Sequence, residues 1–160
     1  MKSLHLLLQK LADAGFEFVV VGGFASVLHG SAYVTDDLDI CAALTPESVD
    51  QLRGALADLR PRHRMTTQKL SFLDYPPAGQ PVNNLYLETE GGILDVLNNV
   101  LGVGDYHRLR EKALEVPLFG RKCFVISLDD LITAKEAMGR EKDLLTAKEL
   151  RAIAAKRQSG

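Results

Sequence analysis

An apolar strand that ends in two glycines most constrains what this chain can fold into. The segment 16–22 reads Phe-Glu-Phe-Val-Val-Val-Gly. Such an apolar run predicts a central strand that is covered on both faces. Gly22 and Gly23 end the run and lead into a short predicted helix at 23–29. The sequence therefore predicts a buried strand, a tight glycine turn and a helix in direct succession.

Two aspartates follow on the next predicted strand, 37–43. Successive side chains of a strand point to opposite faces. Asp37 and Asp39 are therefore expected to share one face, with Leu38 and Ile40 on the other. Two acids side by side near the end of an apolar strand are costly unless a positive group lies between them. A divalent metal ion is the simplest such partner.

The remaining pattern alternates helices and strands and predicts a mixed α/β (α+β) fold. A central β-sheet is flanked by helices, and the chain ends in a helical segment. The predicted elements are helices 3–14, 23–29, 46–58, 105–111, 128–138 and 141–157, strands 16–22, 37–43, 82–88, 93–97, 113–118 and 121–126, and strand-like pieces at 63–66 and 69–74. A hairpin turn at Glu90-Gly91-Gly92 joins two of the strands. Thr45 and Ser127 are predicted to cap the helices that follow them.

Composition indicates one globular domain. The 160 residues are 46% hydrophobic and 25% charged, as in an ordinary soluble protein. We expect a core over about 1–126 and C-terminal helices over about 127–157. The net charge of −2 gives no overall basic field for nucleic acid. Cys41 and Cys123 lie in apolar runs, which is typical of reduced core cysteines in a cytoplasmic protein. The N-terminal apolar run is too short to span a bilayer and carries no signal-peptide pattern.

A third acid stands inside an aliphatic strand. Asp95 lies at the centre of Ile93-Leu94-Asp95-Val96-Leu97. A carboxylate surrounded by aliphatic residues is unusual for a buried strand. On an alternating strand Asp95 could equally face solvent. Together with Asp37 and Asp39, it forms a set of three strand acids behind a glycine turn.

This set resembles the signature of a known superfamily. Gly-Gly, thirteen residues and then Asp-Leu-Asp-Ile is similar to the nucleotidyltransferase superfamily that includes DNA polymerase beta. The runs HGSAYVTDDLDI and ISLDDLITAKEAMGREKDL resemble its small prokaryotic, AbiEii-like branch. The resemblance implies the nucleotidyltransferase fold and a metal-dependent transfer of a nucleotide.

The resemblance also implies roles for the three acids. Asp37 and Asp39 would bridge two Mg²⁺ ions, with Mn²⁺ as an alternative metal. Asp95 would complete the site of the catalytic ion and help accept the hydroxyl proton. Two metal ions about 3.5–4 Å apart can hold the attacking and the leaving oxygen of an in-line displacement.

A second group of residues would bind the nucleotide. Gly22 and Gly23 would let backbone amides approach the triphosphate at the start of the helix. Ser26 is either a phosphate contact or, more simply, a serine on the helix surface. In the C-terminal helical segment, the same resemblance makes Lys135 and Lys142 phosphate partners, and Asp143 would orient one of them or touch the base or sugar. Arg140 lies in the same cluster and is a further nucleotide-binding candidate. Each charge alone could equally belong to a solvated helix face.

The implied reaction moves a nucleoside monophosphate (NMP) from a nucleoside triphosphate (NTP) to a hydroxyl group. The acceptor could be a tRNA end, a protein or a small molecule, and the AbiEii-like resemblance suggests a toxin–antitoxin setting with a cognate partner. A catalytically weak nucleotide- or partner-binding module is the alternative. Its best support is Tyr33, which stands where related sequences often have Arg. A two-metal phosphohydrolase is a further alternative, against which the Gly-Gly turn counts.

Overall fold

A mixed seven-stranded sheet forms the centre of the computed structural model, which describes residues 3–32 and 35–159. The strand order is β3-β4-β5-β2-β1-β9-β8, and β6 and β7 form a separate small hairpin. The strands are β1 (Val19–Val21), β2 (Leu38–Cys41), β3 (Arg62–His63), β4 (Asn84–Thr89), β5 (Gly92–Leu97), β6 (Asn99–Val100), β7 (Gly104–Asp105), β8 (Leu114–Leu118) and β9 (Arg121–Val125).

Six α-helices accompany the sheet in the described ranges. They are α1 (Leu4–Asp13), α2 (Gly22–Leu28), α3 (Pro46–Leu56), α4 (Tyr106–Lys112), α5 (Leu128–Met138) and α6 (Glu141–Ser159), and a short 3-10 helix follows α3 at Ala57–Leu59. None of the helices in the described part of the chain has the length and apolar composition that a membrane crossing needs. The mixed sheet with flanking helices and a helical C-terminal segment confirms the predicted fold class.

The central strand is the one predicted from the apolar run. β1 pairs antiparallel with β2 and parallel with β9, and β2 pairs parallel with β5. The outer pairs β3–β4, β4–β5 and β8–β9 are antiparallel. All three residues of β1 are buried, as expected for a strand with neighbours on both sides and helices above and below. β1 therefore fixes where the glycine turn and its neighbouring acids lie.

The core also contains the apolar face of α1 and both cysteines. Leu7, Leu8 and Leu11 are fully buried. Cys41 and Cys123 are free and buried, in agreement with the sequence prediction. Burial raises the pKa of the Cys41 thiol to about 12, so this side chain behaves as an apolar core residue at neutral pH.

The predicted helix caps are confirmed, with one difference in chemistry. The Thr45 hydroxyl accepts a hydrogen bond from the Ser48 amide, and the Ser48 hydroxyl accepts from the Thr45 amide. The Ser127 hydroxyl likewise caps α5 by accepting from the Asp130 amide. The Asp130 carboxylate, however, binds both terminal nitrogens of Arg108 at 3.3 Å. Asp130 therefore ties α4 to α5 in addition to lying in the first turn.

Segment 60–82 departs from the sequence prediction. The predicted strand 63–66 is reduced to β3, which ends at His63. The predicted strand 69–74 is wrong, because only an isolated bridge between Arg62 and Ser71 forms there. Prolines explain the difference, since a proline has no N–H to donate to a sheet. Pro61 precedes the bridge and three further prolines follow between 76 and 81.

The long helix α6 is fastened to the loop that follows α2. Glu149 accepts hydrogen bonds from the Ser31 hydroxyl and the Ala32 amide. Near the end of α6, Arg157 donates to the carbonyl oxygen of His29 at 2.9 Å and lies 3.3 Å from its Nδ1. The other ring nitrogen of His29 bonds to the carbonyl oxygen of Ile126 at 2.7 Å. His29 therefore joins α2, β9 and α6 and is not a catalytic candidate.

Removing the Arg157 side chain should loosen this end of α6. We expect Arg157→Ala to lower the free energy of unfolding by about 1 kcal/mol, because two hydrogen bonds to His29 are lost. Urea unfolding followed by circular dichroism measures this. The matched control is Lys156→Ala, an exposed neighbour on the same helix. Equal stability of the two variants would show that the His29 contact contributes nothing.

Candidate active site

The floor of the site is formed by two aspartates on neighbouring parallel strands. Asp39 of β2 and Asp95 of β5 are direct partners in the pairing of these strands. On its other side Asp39 is opposite Val21, the last residue of β1. The strand register therefore brings together two of the three predicted acids and places the glycine turn beside them.

The side chain of Asp39 leaves no room for a side chain at Gly22. Its backbone φ is +69°, in the left-handed region that favours glycine. A Cβ atom at Gly22 would lie 2.3 Å from Oδ2 of Asp39, which is closer than non-bonded atoms can approach. The first glycine of the predicted turn is therefore required by the aspartate as well as by the turn. α2 begins directly at Gly22, one residue earlier than predicted.

The electrostatics of the floor reflect two acids in a partly buried place. Burial, followed by the charge of Asp95, raises the pKa of Asp39 to about 6. The charges of Lys135 and Arg64 act in the opposite direction, and that of Asp37 adds to the rise. A carboxylate whose pKa is raised by burial and like charge is stabilised by any added cation. The floor is therefore a favourable place for positive charge.

Arg64 is the site residue that the sequence analysis missed. Its Nε donates to Oδ1 of Asp95 at 3.1 Å, and its Nη2 donates to Oδ2 at 2.5 Å. This two-pronged bond raises the pKa of Arg64 further above its usual value. Arg64 lies just beyond β3, where its amide donates to the carbonyl oxygen of Tyr86. An arginine in a strand-like segment with no fixed register gave no signal in the sequence.

A cluster of C-terminal charges lies across from the acids. Asp143 is 2% exposed and accepts from Nε of Arg140 at 2.6 Å, while Nζ of Lys135 is 3.9 Å away. Burial acts to raise the pKa of Asp143, but the bond to Arg140 and the nearby cations outweigh it and hold that pKa low. Burial lowers the pKa of Lys135. Asp143 thus holds Arg140 and Lys135 in place.

One cleft of about 530 Å³ unites nearly all the predicted residues. Nine of the ten line it, namely Gly23, Ser26, Asp37, Asp39, Asp95, Lys135, Arg140, Lys142 and Asp143, while Gly22 lines an adjoining pocket of about 150 Å³. Arg64 and Thr35 also line the cleft. Asp39, Lys135, Arg140 and Asp143 are shared by the two cavities. The fold therefore brings two distant parts of the sequence to a single place.

Two smaller expectations concern the turn and its loop. The suggestion that Ser26 is a helix-surface serine is wrong, because Ser26 is fully buried and its hydroxyl donates to the carbonyl oxygen of Gly22 at 3.2 Å. Thr35 accepts a hydrogen bond from the Asp37 amide at 3.2 Å and so holds the entry to β2. Tyr33, whose replacement of an arginine was noted above, lies outside the described residues.

The acids fit a divalent cation by their chemistry. Within 3–32 and 35–159, no three Asp, Glu, His or Cys side chains converge as a preformed metal site. The carboxylates of Asp37, Asp39 and Asp95 nevertheless line the same cleft, and carboxylate oxygens are the donors that Mg²⁺ prefers. Burial and the charge of Asp95 raise the pKa of Asp39 despite the nearby Lys135 and Arg64, so an added cation would stabilise its ionised form. Asp95 faces Arg64 in this arrangement.

Comparison with protein families identifies the class. The profile of the family described as nucleotidyl transferase of unknown function (DUF2204) matches residues 1–159. The chain belongs to this family and is a nucleotidyltransferase, as the glycine turn and the three acids predict. A comparison with curated proteins finds no match.

Solved structures confirm the fold. The lincosamide antibiotic adenylyltransferase LnuA, determined with lincomycin bound, is 18% identical with a TM-score of 0.63, and the match covers 94% of this chain and 95% of that one. A Thermotoga maritima protein provisionally named a nucleotidyltransferase is 18% identical with a TM-score of 0.55, covering 94% and 91%. At this identity the likeness shows the nucleotidyltransferase fold. The AbiEii-like branch and the toxin–antitoxin setting stay predictions.

The raised pKa of Asp39 predicts how stability depends on pH. The folded protein holds a proton on Asp39 up to about pH 6, whereas an unfolded aspartate releases it near pH 4. The stability that the folded protein gains from the proton on Asp39 is therefore fully present below about pH 4 and is lost as the pH rises to about 6. In metal-free buffer, we expect Asp39→Asn to be more stable than wild type at pH 8, by on the order of 1–3 kcal/mol.

Urea unfolding at pH 4 and pH 8 in the presence of EDTA measures this. The gain should vanish near pH 4, where wild-type Asp39 is protonated. Asp36→Asn, a change at an exposed neighbouring acid, is the control and should have little effect at either pH. A gain from Asp39→Asn that is equal at both pH values would contradict the assigned cause.

The fit between Gly22 and Asp39 gives a second test. We expect Gly22→Ala to lower the free energy of unfolding by about 1–3 kcal/mol, since the new methyl group meets the carboxylate at a positive φ. Thermal unfolding measures the loss. Gly54→Ala on α3 is the control, because no atom lies within 4 Å of a Cβ there and alanine favours a helix. A Gly22→Ala variant as stable as Gly54→Ala would refute the proposed close fit.

Proposed function

We propose that this nucleotidyltransferase moves an NMP from an NTP to a hydroxyl group of a small molecule and releases pyrophosphate. The observation that carries the proposal is the cleft itself. Asp39 and Asp95 lie on its floor, and Lys135, Arg140 and Lys142 line it as well. An acid pair facing a group of cations suits a triphosphate with its divalent counter-ions.

The cationic residues would hold the triphosphate. Lys135 has a side chain that is 18% exposed, and Asp143 lies 3.9 Å from its Nζ, so its ammonium group is restrained before nucleotide arrives. Lys142 is exposed and can adapt to the phosphates as a flexible point charge. A preorganised cation stabilises developing charge on the pyrophosphate leaving group without further reorganisation. Lys135 is therefore the proposed main partner of the leaving group.

The acids would hold Mg²⁺ or Mn²⁺ and orient the acceptor. Asp37, Asp39 and Asp95 are the proposed ligands. A divalent ion bound there supplies charge neutralisation for the α-phosphate and a lower pKa for the attacking hydroxyl. The acceptor oxygen forms a bond to the α-phosphorus while the bond to pyrophosphate breaks, and the hydroxyl proton passes to a carboxylate of the cleft. Asp95 is the proposed proton acceptor once it is released from Arg64.

The adjoining pocket supports a small acceptor with an apolar part. It shares the charged residues Asp39, Lys135, Arg140 and Asp143 with the cleft, and the rest of its lining is mainly apolar and includes Leu97, Val100, Ile126, Leu131, Ala134 and Met138. A group of about 150 Å³ placed there would lie directly beside the proposed reacting atoms. The fold that this chain shares with LnuA, which was determined with lincomycin bound, supports the same class of acceptor.

One observation favours the alternative of a weakly catalytic nucleotide-binding module. Arg64 already neutralises Asp95 by a two-pronged bond, so the third acid is not available to a metal ion in this arrangement. The alternative predicts nucleotide binding without turnover. It would be established if NTP binds equally well to wild type and to Asp95→Asn while neither protein releases pyrophosphate or forms a labelled product from any NTP.

The acceptor can be identified with labelled nucleotide. The protein is incubated with Mg²⁺ and each α-labelled NTP in turn. Each mixture contains one of three acceptor fractions: hydroxyl-bearing small molecules such as lincomycin, total tRNA, or lysate protein. Label in the small-molecule fraction supports the proposal. Label in RNA or protein would overturn the acceptor class while retaining the reaction, and absence of transfer from every NTP would overturn the reaction.

Loss of the floor acids should abolish the transfer. We expect Asp39→Asn to lower the transfer rate at least about 100-fold, because the carboxylate that binds the metal ions is lost and amide oxygens bind them weakly. The control is Asp36→Asn, which removes a negative charge three residues earlier at an exposed position and should keep most of the activity. Equal loss in both variants would indicate a general charge effect and would contradict the assigned site.

A further inference from the structure

The guanidinium group of Arg64 occupies both oxygens of Asp95. The distances are 3.1 Å from Nε to Oδ1 and 2.5 Å from Nη2 to Oδ2. The Asp95 side chain is only 16% exposed, so little of the carboxylate is left to solvent. Two-pronged bonds of this kind are among the stronger side-chain interactions in proteins. Arg64 is thus the cation that neutralises Asp95 in the nucleotide-free protein.

A divalent ion that binds Asp95 must overcome repulsion from the Arg64 guanidinium group. Asp39 and Asp37 also interact electrostatically with Arg64, so the guanidinium charge acts on all three proposed metal ligands. An ion placed among these acids would meet like charge a few ångströms away, and the repulsion is considerable in a partly buried site. Metal binding at this site therefore competes with Arg64.

The backbone and the side chain of Arg64 are held by separate contacts. The position of Arg64 just beyond β3 is held by its amide, which donates to the carbonyl oxygen of Tyr86. Its side chain is 26% exposed and lines the same cleft as Lys135 and Lys142. An arginine displaced from Asp95 would still lie at a cleft that suits a triphosphate, and phosphates accept the same two-pronged bonds as carboxylates.

We infer that Arg64 is a positioning residue that exchanges Asp95 for the triphosphate when NTP and a divalent ion enter together. The inference rests on the proposed function, since it takes the three acids as the metal site. In the absence of nucleotide, Arg64 blocks tight metal binding. With nucleotide present, the phosphates attract Arg64 and release Asp95. Metal and nucleotide then bind cooperatively.

The inference predicts opposite effects of one substitution on two affinities. Arg64→Gln should raise the affinity of the nucleotide-free protein for Mn²⁺ about tenfold, because the competing charge is gone. The same substitution should weaken binding of an ATP analogue with a methylene bridge between its α- and β-phosphates, also about tenfold, because a phosphate contact is lost. A merely structural role would move the two affinities in the same direction or not at all.

The Mn²⁺ affinity is measured by electron paramagnetic resonance of free Mn²⁺, and the analogue affinity by calorimetry at saturating Mn²⁺. Arg62→Gln is the matched control, because Arg62 is an exposed arginine two residues earlier, in β3, and lines a separate cavity. Arg64→Lys keeps the positive charge but cannot make the two-pronged bond, so its Mn²⁺ affinity should lie between those of wild type and Arg64→Gln. Circular dichroism and thermal unfolding verify that each variant is folded.

The outcomes separate the inference from the proposed function. Tighter Mn²⁺ binding with weaker analogue binding in Arg64→Gln, lost again when Asp95→Asn is added, supports the exchange. Equal Mn²⁺ affinity in Arg64→Gln and wild type overturns the exchange. If Asp95→Asn then weakens Mn²⁺ binding in both of these proteins, the proposed carboxylate metal site is retained. If Mn²⁺ and the analogue bind to none of the proteins and no NMP is transferred, the proposed function fails and the inference falls with it.

Discussion

The pairing of Asp39 with Asp95 across two parallel strands is the constraint on which the rest of the site depends. Two carboxylates in a partly buried place repel each other, and this repulsion contributes to the rise in the pKa of Asp39 to about 6. Nearby positive charge partly offsets this repulsion, since Arg64 binds Asp95 and the charge of Lys135 lowers the pKa of Asp39. Even the glycine of the turn is dictated by the pair, because any side chain at Gly22 would meet Asp39. At neutral pH the acid pair is therefore an unfavourable arrangement, which added positive charge relieves.

The helices that carry the cationic residues of the cleft are held in place by contacts outside the acidic floor. α5 is held to α4 by the pairing of Asp130 with Arg108. α6 is fastened to the loop after α2 through Glu149, and its last turns through Arg157. These contacts hold α5, which carries Lys135, and α6, which carries the buried Asp143, while Arg140 lies between the two helices. The acidic floor and the cationic side of the cleft therefore come from parts of the chain at least forty residues apart, and each is held by its own set of contacts.

Local patterns in the sequence predicted much of this arrangement, and long-range register explains the remainder. The apolar run before Gly22, the alternation around Asp39 and the hairpin before Asp95 are each set by neighbours in sequence, and the structure agrees with them. Arg64 could not be found in this way. Its contact with Asp95 depends on how β3 pairs with β4, and the proline-rich connection between these strands leaves that register unspecified. Ser26 was misjudged because burial against a neighbouring layer cannot be deduced from a seven-residue helix alone.

Nucleotidyl transfer in the cleft is the central claim to be tested. Phosphorus NMR of the protein with Mg²⁺, an NTP and the acceptor fraction tests this most directly, because it resolves every phosphorus product in one spectrum. We expect pyrophosphate and a new NMP phosphodiester to appear in equal amounts, and neither to appear with Asp39→Asn. Release of inorganic phosphate with a nucleoside diphosphate, or products that are unchanged in Asp39→Asn, would contradict the central claim.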